Sequence, residues 1–134
     1  MQMPHDFPSL TDAIRFNADG LIAVVAQQHD TLEVLMLAWM NREALAATLE
    51  TGHVTYWSRS RAALWRKGER SGQVQRLIEL RLDCDGDTLL ALVDQTGVAC
   101  HTGRRNCFFR AVRDGEWTEI APVEAAPETL YGAG

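Results

Sequence analysis

Gln75-Arg76-Leu77-Ile78-Glu79-Leu80-Arg81-Leu82-Asp83-Cys84-Asp85-Gly86-Asp87-Thr88-Leu89-Leu90-Ala91-Leu92-Val93 reads as two strands joined by a turn. From Val74 to Cys84 the side chains alternate with period two. That period sends Leu77, Glu79 and Arg81 one way and Ile78, Leu80 and Leu82 the other. Asp85-Gly86-Asp87 has the residue types of a turn. The run Leu89 to Val93 is apolar throughout, as in a strand buried on both faces.

Outward from this hairpin the same signals repeat. Leu21 to Ala26 and Leu32 to Trp39 are β-prone stretches separated by the polar Gln27 to Thr31, a second hairpin. Asn41 is suited to cap a helix through Ala44, Leu45, Ala47 and Leu49, with Gly52 placed to stop it. Ser9 or Thr11 can cap a short first helix containing Ala13, Ile14 and Phe16, ended by Asp19-Gly20. Val54 to Trp57 reads as a strand, and Ser58 to Gly72 as a long polar, basic loop with a functional task. Cys107 to Val112 reads as a strand that Arg113-Asp114-Gly115-Glu116 turns toward Trp117. The expected fold is a compact, β-rich α+β domain with a mixed or antiparallel sheet and one or two short helices. Residues 1–121 form the expected single domain, and 122–134, rich in Pro, Ala and Gly, a flexible tail.

Composition narrows the function classes. A net charge of −5 argues against nucleic acid as the main partner. No apolar run approaches the roughly 20 residues needed to cross a bilayer, so no membrane partner is expected. Met1-Gln2-Met3-Pro4-His5-Asp6 lacks the pattern of a signal peptide, which makes the cytoplasm the expected compartment. The three cysteines Cys84, Cys100 and Cys107 are an odd number, and one disulfide would leave one over. Two readings compete for them: metal ligation, or small buried hydrophobes. The 100–107 spacing is wider than that of common structural zinc sites. Three thiolates would nevertheless leave a fourth zinc position for water.

Asp83, Asp85 and Asp87 surround Cys84. If the strand extends this far, the carboxylates face one way and the thiol the other. Hard oxygen ligands then suit magnesium or calcium, and the soft sulfur suits zinc. An EF-hand is excluded, since its sixth place holds Thr88 rather than Gly and its twelfth Asp94 rather than Glu. The competing reading is a hairpin turn with solvated acids. His101, beside Cys100, is open to three roles: metal ligand, general base, or surface residue. His5, His29 and His53 are expected in solvent. The cations Arg59, Arg61, Arg66, Lys67 and Arg70, mixed with Ser58, Ser60 and Ser71, suit phosphate or form a solvated surface. Trp57 and Trp65 either stack on a base or belong to the core.

Longer motifs decide between these readings. They are Met36-Leu37-Ala38-Trp39-Met40-Asn41, Thr55-Tyr56-Trp57-Ser58-Arg59-Ser60 and Leu64-Trp65-Arg66-Lys67-Gly68-Glu69. Leu82-Asp83-Cys84-Asp85-Gly86-Asp87, then Gln95-Thr96-Gly97-Val98-Ala99-Cys100-His101-Thr102-Gly103-Arg104-Arg105, and finally Cys107-Phe108-Phe109-Arg110 follow in order. From Val34 to Arg110 the chain resembles the phosphoribosyl-AMP cyclohydrolases of histidine biosynthesis. Trp39 stands where that family often has Tyr. The chain ends soon after the last motif, so the monofunctional form is expected, without the pyrophosphohydrolase domain fused to some relatives.

The resemblance implies an intertwined homodimer. It implies one zinc per subunit on Cys84, Cys100 and Cys107, shared between subunits, and one magnesium per subunit on Asp83, Asp85 and Asp87. Its substrate is a small phosphoribosylated nucleotide, which the expected set Trp57, Ser58, Arg59, Ser60, Trp65, Lys67, Thr102 and Arg104 would hold. The implied reaction opens the purine ring between nitrogen 1 and carbon 6. Zinc lowers the pKa of bound water from about 15.7 toward 7, supplying hydroxide as nucleophile, and His101 is the expected proton carrier. Nucleobase deamination is a poor fit, because the Pro-Cys-x-x-Cys motif is absent from the sequence. Two other functions remain open: a zinc-stapled nucleotide-binding module without catalysis, and a zinc hydrolase of another modified purine nucleotide.

Overall fold

The computed structural model describes residues 8–128. Its elements are α1 (Pro8–Thr11), β1 (Ile22–Gln28), β2 (Val34–Met40), α2 (Arg42–Thr51), β3 (Thr55–Ser58), β4 (Ala63–Arg66), β5 (Gln75–Leu82), β6 (Thr88–Gln95), β7 (Arg110–Arg113) and β8 (Glu116–Glu119). A four-stranded sheet runs β2-β1-β6-β5, and β3-β4 and β7-β8 are separate hairpins. β1 pairs antiparallel with β2 but parallel with β6, so the sheet is mixed. The β-rich α+β fold expected from the sequence is what forms, with two short helices among the described residues.

One face of the sheet carries Ile22, Val24, Ala26, Leu89, Ala91 and Val93, all buried, and α2 adds Ala44 and Leu45 to the same core. Asn41 caps α2 as expected: its Oδ1 accepts the Ala44 N–H at 2.8 Å. At the other end the Gly52 N–H donates to the Thr48 carbonyl at 2.9 Å. The opposite sheet face bears Val25, Leu37 and Leu90 in cross-strand register, and Leu37 is 49% exposed.

Several local expectations are corrected. The alternation in β5 breaks between Leu77 and Glu79, where the register shifts by one residue. Ile78 is the extra residue of a β-bulge, so Leu77 and Leu80 both pack on the core instead of facing opposite ways. The strand stops at Leu82, and 83–87 form a turn, so the facing of Cys84 against the aspartates cannot come from strand alternation. Helix α1 ends at Thr11 and excludes Ala13, Ile14 and Phe16, because the Arg15 N–H instead reaches the Gly86 carbonyl at 2.7 Å. The polar segment after Ser58 contains strand β4, antiparallel to β3. The last hairpin begins at Arg110 rather than Cys107, and the Cys107 N–H is taken by the Leu35 carbonyl at 2.7 Å. Asp114 and Gly115 lie at φ 52° and 78°, the left-handed pair that a two-residue hairpin turn requires. Beyond Ala121 the chain is tied back: the Glu124 and Ala125 N–H groups both donate to the Gly103 carbonyl. His5 and the expected tail from residue 129 onward lie outside the described residues.

Asn41→Ala removes the α2 cap and is expected to lower stability by about 1 kcal/mol, read as a lower urea midpoint at unchanged slope. An unshifted midpoint would contradict the capping role.

Candidate functional site

The loop from 96 to 109 folds back on itself without forming a strand. The Ala99 N–H donates to the Arg105 carbonyl at 2.9 Å and the Cys100 N–H to the Arg104 carbonyl at 3.1 Å. At its bend a Cβ on Gly103 would lie 1.7 Å from the Ala125 carbonyl oxygen, so only glycine fits. Glu33 holds the far side through Arg105 and Asn106. This fold-back brings Cys100 near enough to Cys107 for the one thiol to raise the pKa of the other. Cys100 is buried, its Sγ 3.0 Å from Thr102 Oγ1, whereas Cys107 keeps part of its surface open. A cavity of about 390 Å³ beside Cys107 is lined by Phe108, Arg110 and Trp117.

Burial pushes the Cys107 thiol up to about 12, the neighbouring Cys100 adds to this, and Lys67 opposes it. Lys67 itself is buried, its Nζ donating to the Ala99 carbonyl at 2.6 Å. Burial lowers its pKa, and Cys107 and Cys100 push it back up. Cys84 lies elsewhere, exposed in the β5–β6 turn, with its Sγ 3.5 Å from Asp85 Oδ1. None of the three cysteines is on a strand. Among the described residues no three His, Cys, Asp or Glu side chains converge as a metal site. One chain therefore brings two sulfurs together and leaves the third apart.

In the acidic turn, Asp83 Oδ1 accepts the N–H of Asp87 at 3.0 Å and of Thr88 at 3.3 Å. Desolvation raises the Asp83 pKa, but hydrogen bonds from Asp87, Thr88 and Gly86 outweigh it and hold the carboxyl below the usual range. Asp83 thus shapes the turn, and the Asp85 and Asp87 side chains stand exposed beside it.

The expected substrate residues are dispersed. Tyr56 pairs with Trp65 and Trp57 with Leu64 across β3–β4, so the two tryptophans point from opposite faces of the hairpin. Trp65 packs on the core and on Tyr56, ring centroids 5.7 Å apart. Arg59 is exposed and lies over the Trp39 ring at 4.8 Å. Ser58 Oγ accepts the Arg61 N–H at 3.3 Å and is 3.5 Å from the Ser60 hydroxyl. Arg61, Trp65, Lys67, Gly68, Arg70 and Ser71 line a cavity of about 170 Å³. Arg104 is engaged structurally, donating to the Ala121 carbonyl and pairing with Glu119 at 3.0 Å. His101 is exposed on the loop next to the buried Cys100. His53 differs from its expected solvation, since its Nδ1 is buried without a partner among the described residues.

Sequence reasoning missed a buried amide network. Tyr56 Oη donates to Gln75 Oε1 at 2.6 Å, and Gln75 Nε2 donates to Gln95 Oε1 at 2.8 Å. Gln28 Oε1 accepts the Gln95 N–H at 2.9 Å. Burial and the nearby Cys107 both raise the Tyr56 pKa, which places this network against the cysteine pair. Glutamine within strands beside apolar neighbours was the available signal.

A family model described as phosphoribosyl-AMP cyclohydrolase matches residues 36–109, more than half the chain. The chain belongs to the phosphoribosyl-AMP cyclohydrolase family. Curated relatives with that name agree along nearly the whole length. The protein of Rhodospirillum centenum is 71% identical over 121 residues, which is 90% of this chain and 91% of the relative. That of Rhodospirillum rubrum is 66% identical over 93% of this chain and 88% of its own. That of Granulibacter bethesdensis is 68% identical over 91% and 96%. The family match begins in β2 and ends two residues past Cys107, so it spans both the cysteine pair and the acidic turn.

Tyr56→Phe leaves Gln75 Oε1 buried without its donor and is expected to cost about 1–3 kcal/mol. Chemical denaturation of the two proteins side by side measures it, and equal stability would show that the amide finds another donor.

Proposed function

We propose that the chain performs the reaction its family is named for, hydrolytic opening of the purine ring of phosphoribosyl-AMP in histidine biosynthesis. The observation that carries the site assignment is the fold-back of the 96–109 loop, which puts Cys100 near Cys107, and Cys107 on the wall of a cavity. Paired soft sulfurs suit zinc. A second copy of the chain supplies the remaining sulfur, Cys84, and so makes the homodimer part of the site. Supporting this, Cys84 is exposed on its own turn, and Phe108, Val112 and Trp117 stand 54%, 62% and 73% exposed near Cys107. The half-covered sheet face with Leu37 adds further apolar surface for a partner to cover. Bound there, zinc supplies a water activated at neutral pH.

The chain's own residues do the rest. Water adds to carbon 6 of the purine, the bond from carbon 6 to nitrogen 1 breaks, and nitrogen 1 leaves with a proton. His101 is exposed one residue from Cys100, free to approach the substrate and carry that proton. Nitrogen 1 bears a phosphoribosyl group, which draws electrons from the ring and makes carbon 6 more open to attack. Arg61, Arg70 and Ser71, around their shared cavity, would hold a phosphate through charge-assisted hydrogen bonds. Arg59 and Ser60 lie exposed at the rim of the same loop and Thr102 beside Cys100, all within the substrate-binding set. Magnesium usually binds one or two carboxylates and completes its shell with water and phosphate. Asp83, Asp85 and Asp87 would serve it, Asp83 also shaping the turn through its Oδ1.

Cys100→Ser and Cys107→Ser are expected to abolish ring opening and to cut bound zinc. His101→Ala is expected to slow turnover by about 10²–10⁴-fold with zinc content retained. Absorbance on adding phosphoribosyl-AMP, with metal analysis of the same samples, reads both. Full turnover from zinc-free protein would sink the zinc reading, and zinc lost from His101→Ala would make that residue a ligand.

A further inference from the structure

Lys67 sits in the basic segment that the sequence points toward phosphate, yet the fold directs it inward. The residue is only 4% exposed. The backbone explains why. The Lys67 N–H donates to the Val54 carbonyl at 2.9 Å, just beyond the end of β4. The next residue, Gly68, runs so close to Val74 that a Cβ there would meet the Val74 nitrogen at 2.5 Å. The side chain passes the Trp65 ring, with Nζ 5.3 Å from its centroid, and ends on the Ala99 carbonyl. Ala99 directly precedes Cys100, and its own N–H is bonded to Arg105 across the loop.

A buried ammonium is costly unless it is hydrogen-bonded and paired with negative charge. The Lys67 ammonium is hydrogen-bonded to the Ala99 carbonyl. We propose that Lys67 is a positioning residue of the cysteine site: its buried ammonium anchors the Ala99 carbonyl, and with it Cys100. The role rests on the zinc reading above; Lys67 borders the same cavity as Arg61 and Arg70 but is buried where they are exposed.

Lys67→Met and Lys67→Arg test this against the parent protein. Zinc affinity is measured by competition with a chelator, KM and kcat with phosphoribosyl-AMP, and loop order by amide hydrogen exchange. Loss of a partner that orients a metal ligand typically weakens metal binding by about 10–100-fold. Lys67→Met is expected to lose zinc affinity by that factor with KM within about twofold of the parent, and Lys67→Arg to recover part of the affinity. It is also expected to lose exchange protection at the Ala99 and Cys100 amides. Unchanged zinc affinity in Lys67→Met overturns the proposal, and a KM raised tenfold alongside it makes Lys67 a phosphate ligand. If the parent itself holds no zinc, the zinc reading fails separately. The exchange experiment then decides alone: protection lost supports the anchor, and protection retained overturns it.

Discussion

The side-chain amide of Gln75 holds three parts of the molecule to one another. Its oxygen takes the Tyr56 hydroxyl from β3, and its nitrogen gives one bond to Gln95 at the end of β6 and another to Met36 Sδ on β2. Gln95 in turn gives its own amide N–H groups to the carbonyl of Gln73, ahead of β5, and to those of Thr96 and Val98 at the start of the cysteine loop. A buried polar chain of this kind is stabilising only when every member is satisfied, and that condition selects a single arrangement of the strands. The loop that carries Cys100 therefore inherits its position from the sheet. Lys67 reaches the same loop through Ala99.

Elements whose signals are local were legible in the sequence. Asn41 and Gly52 bound α2 as their residue types require, and Asp114-Gly115 makes the expected turn. The β1–β2 hairpin follows from its two apolar stretches. What could not be read depends on contacts between distant segments. The bulge at Ile78 lets Leu77 and Leu80 reach one core, which no alternation within β5 reports. The early end of α1 depends on the hydrogen bond from Arg15 to Gly86, a partner far along the chain. Parallel pairing of β1 with β6 likewise joins residues separated by most of the domain.

The candidate site divides along the same line. Its residue types, three cysteines, three neighbouring aspartates and a cationic loop, were visible in the sequence, and the family match covers nearly all of them. Their distribution was not. Lys67, Arg104 and Trp65 are anchored on the protein, the first and last of them also bordering the cavity where Arg61, Arg70 and Ser71 stand. A single chain gathers two sulfurs and leaves the third on an exposed turn, a division that a zinc site built from two chains would explain.

Zinc-edge X-ray absorption of the purified protein tests that account most directly. Three sulfur neighbours at about 2.3 Å and one lighter atom at about 2.0–2.2 Å are the result it predicts. A shell of nitrogen and oxygen alone, or of four sulfurs with no lighter neighbour, would contradict it.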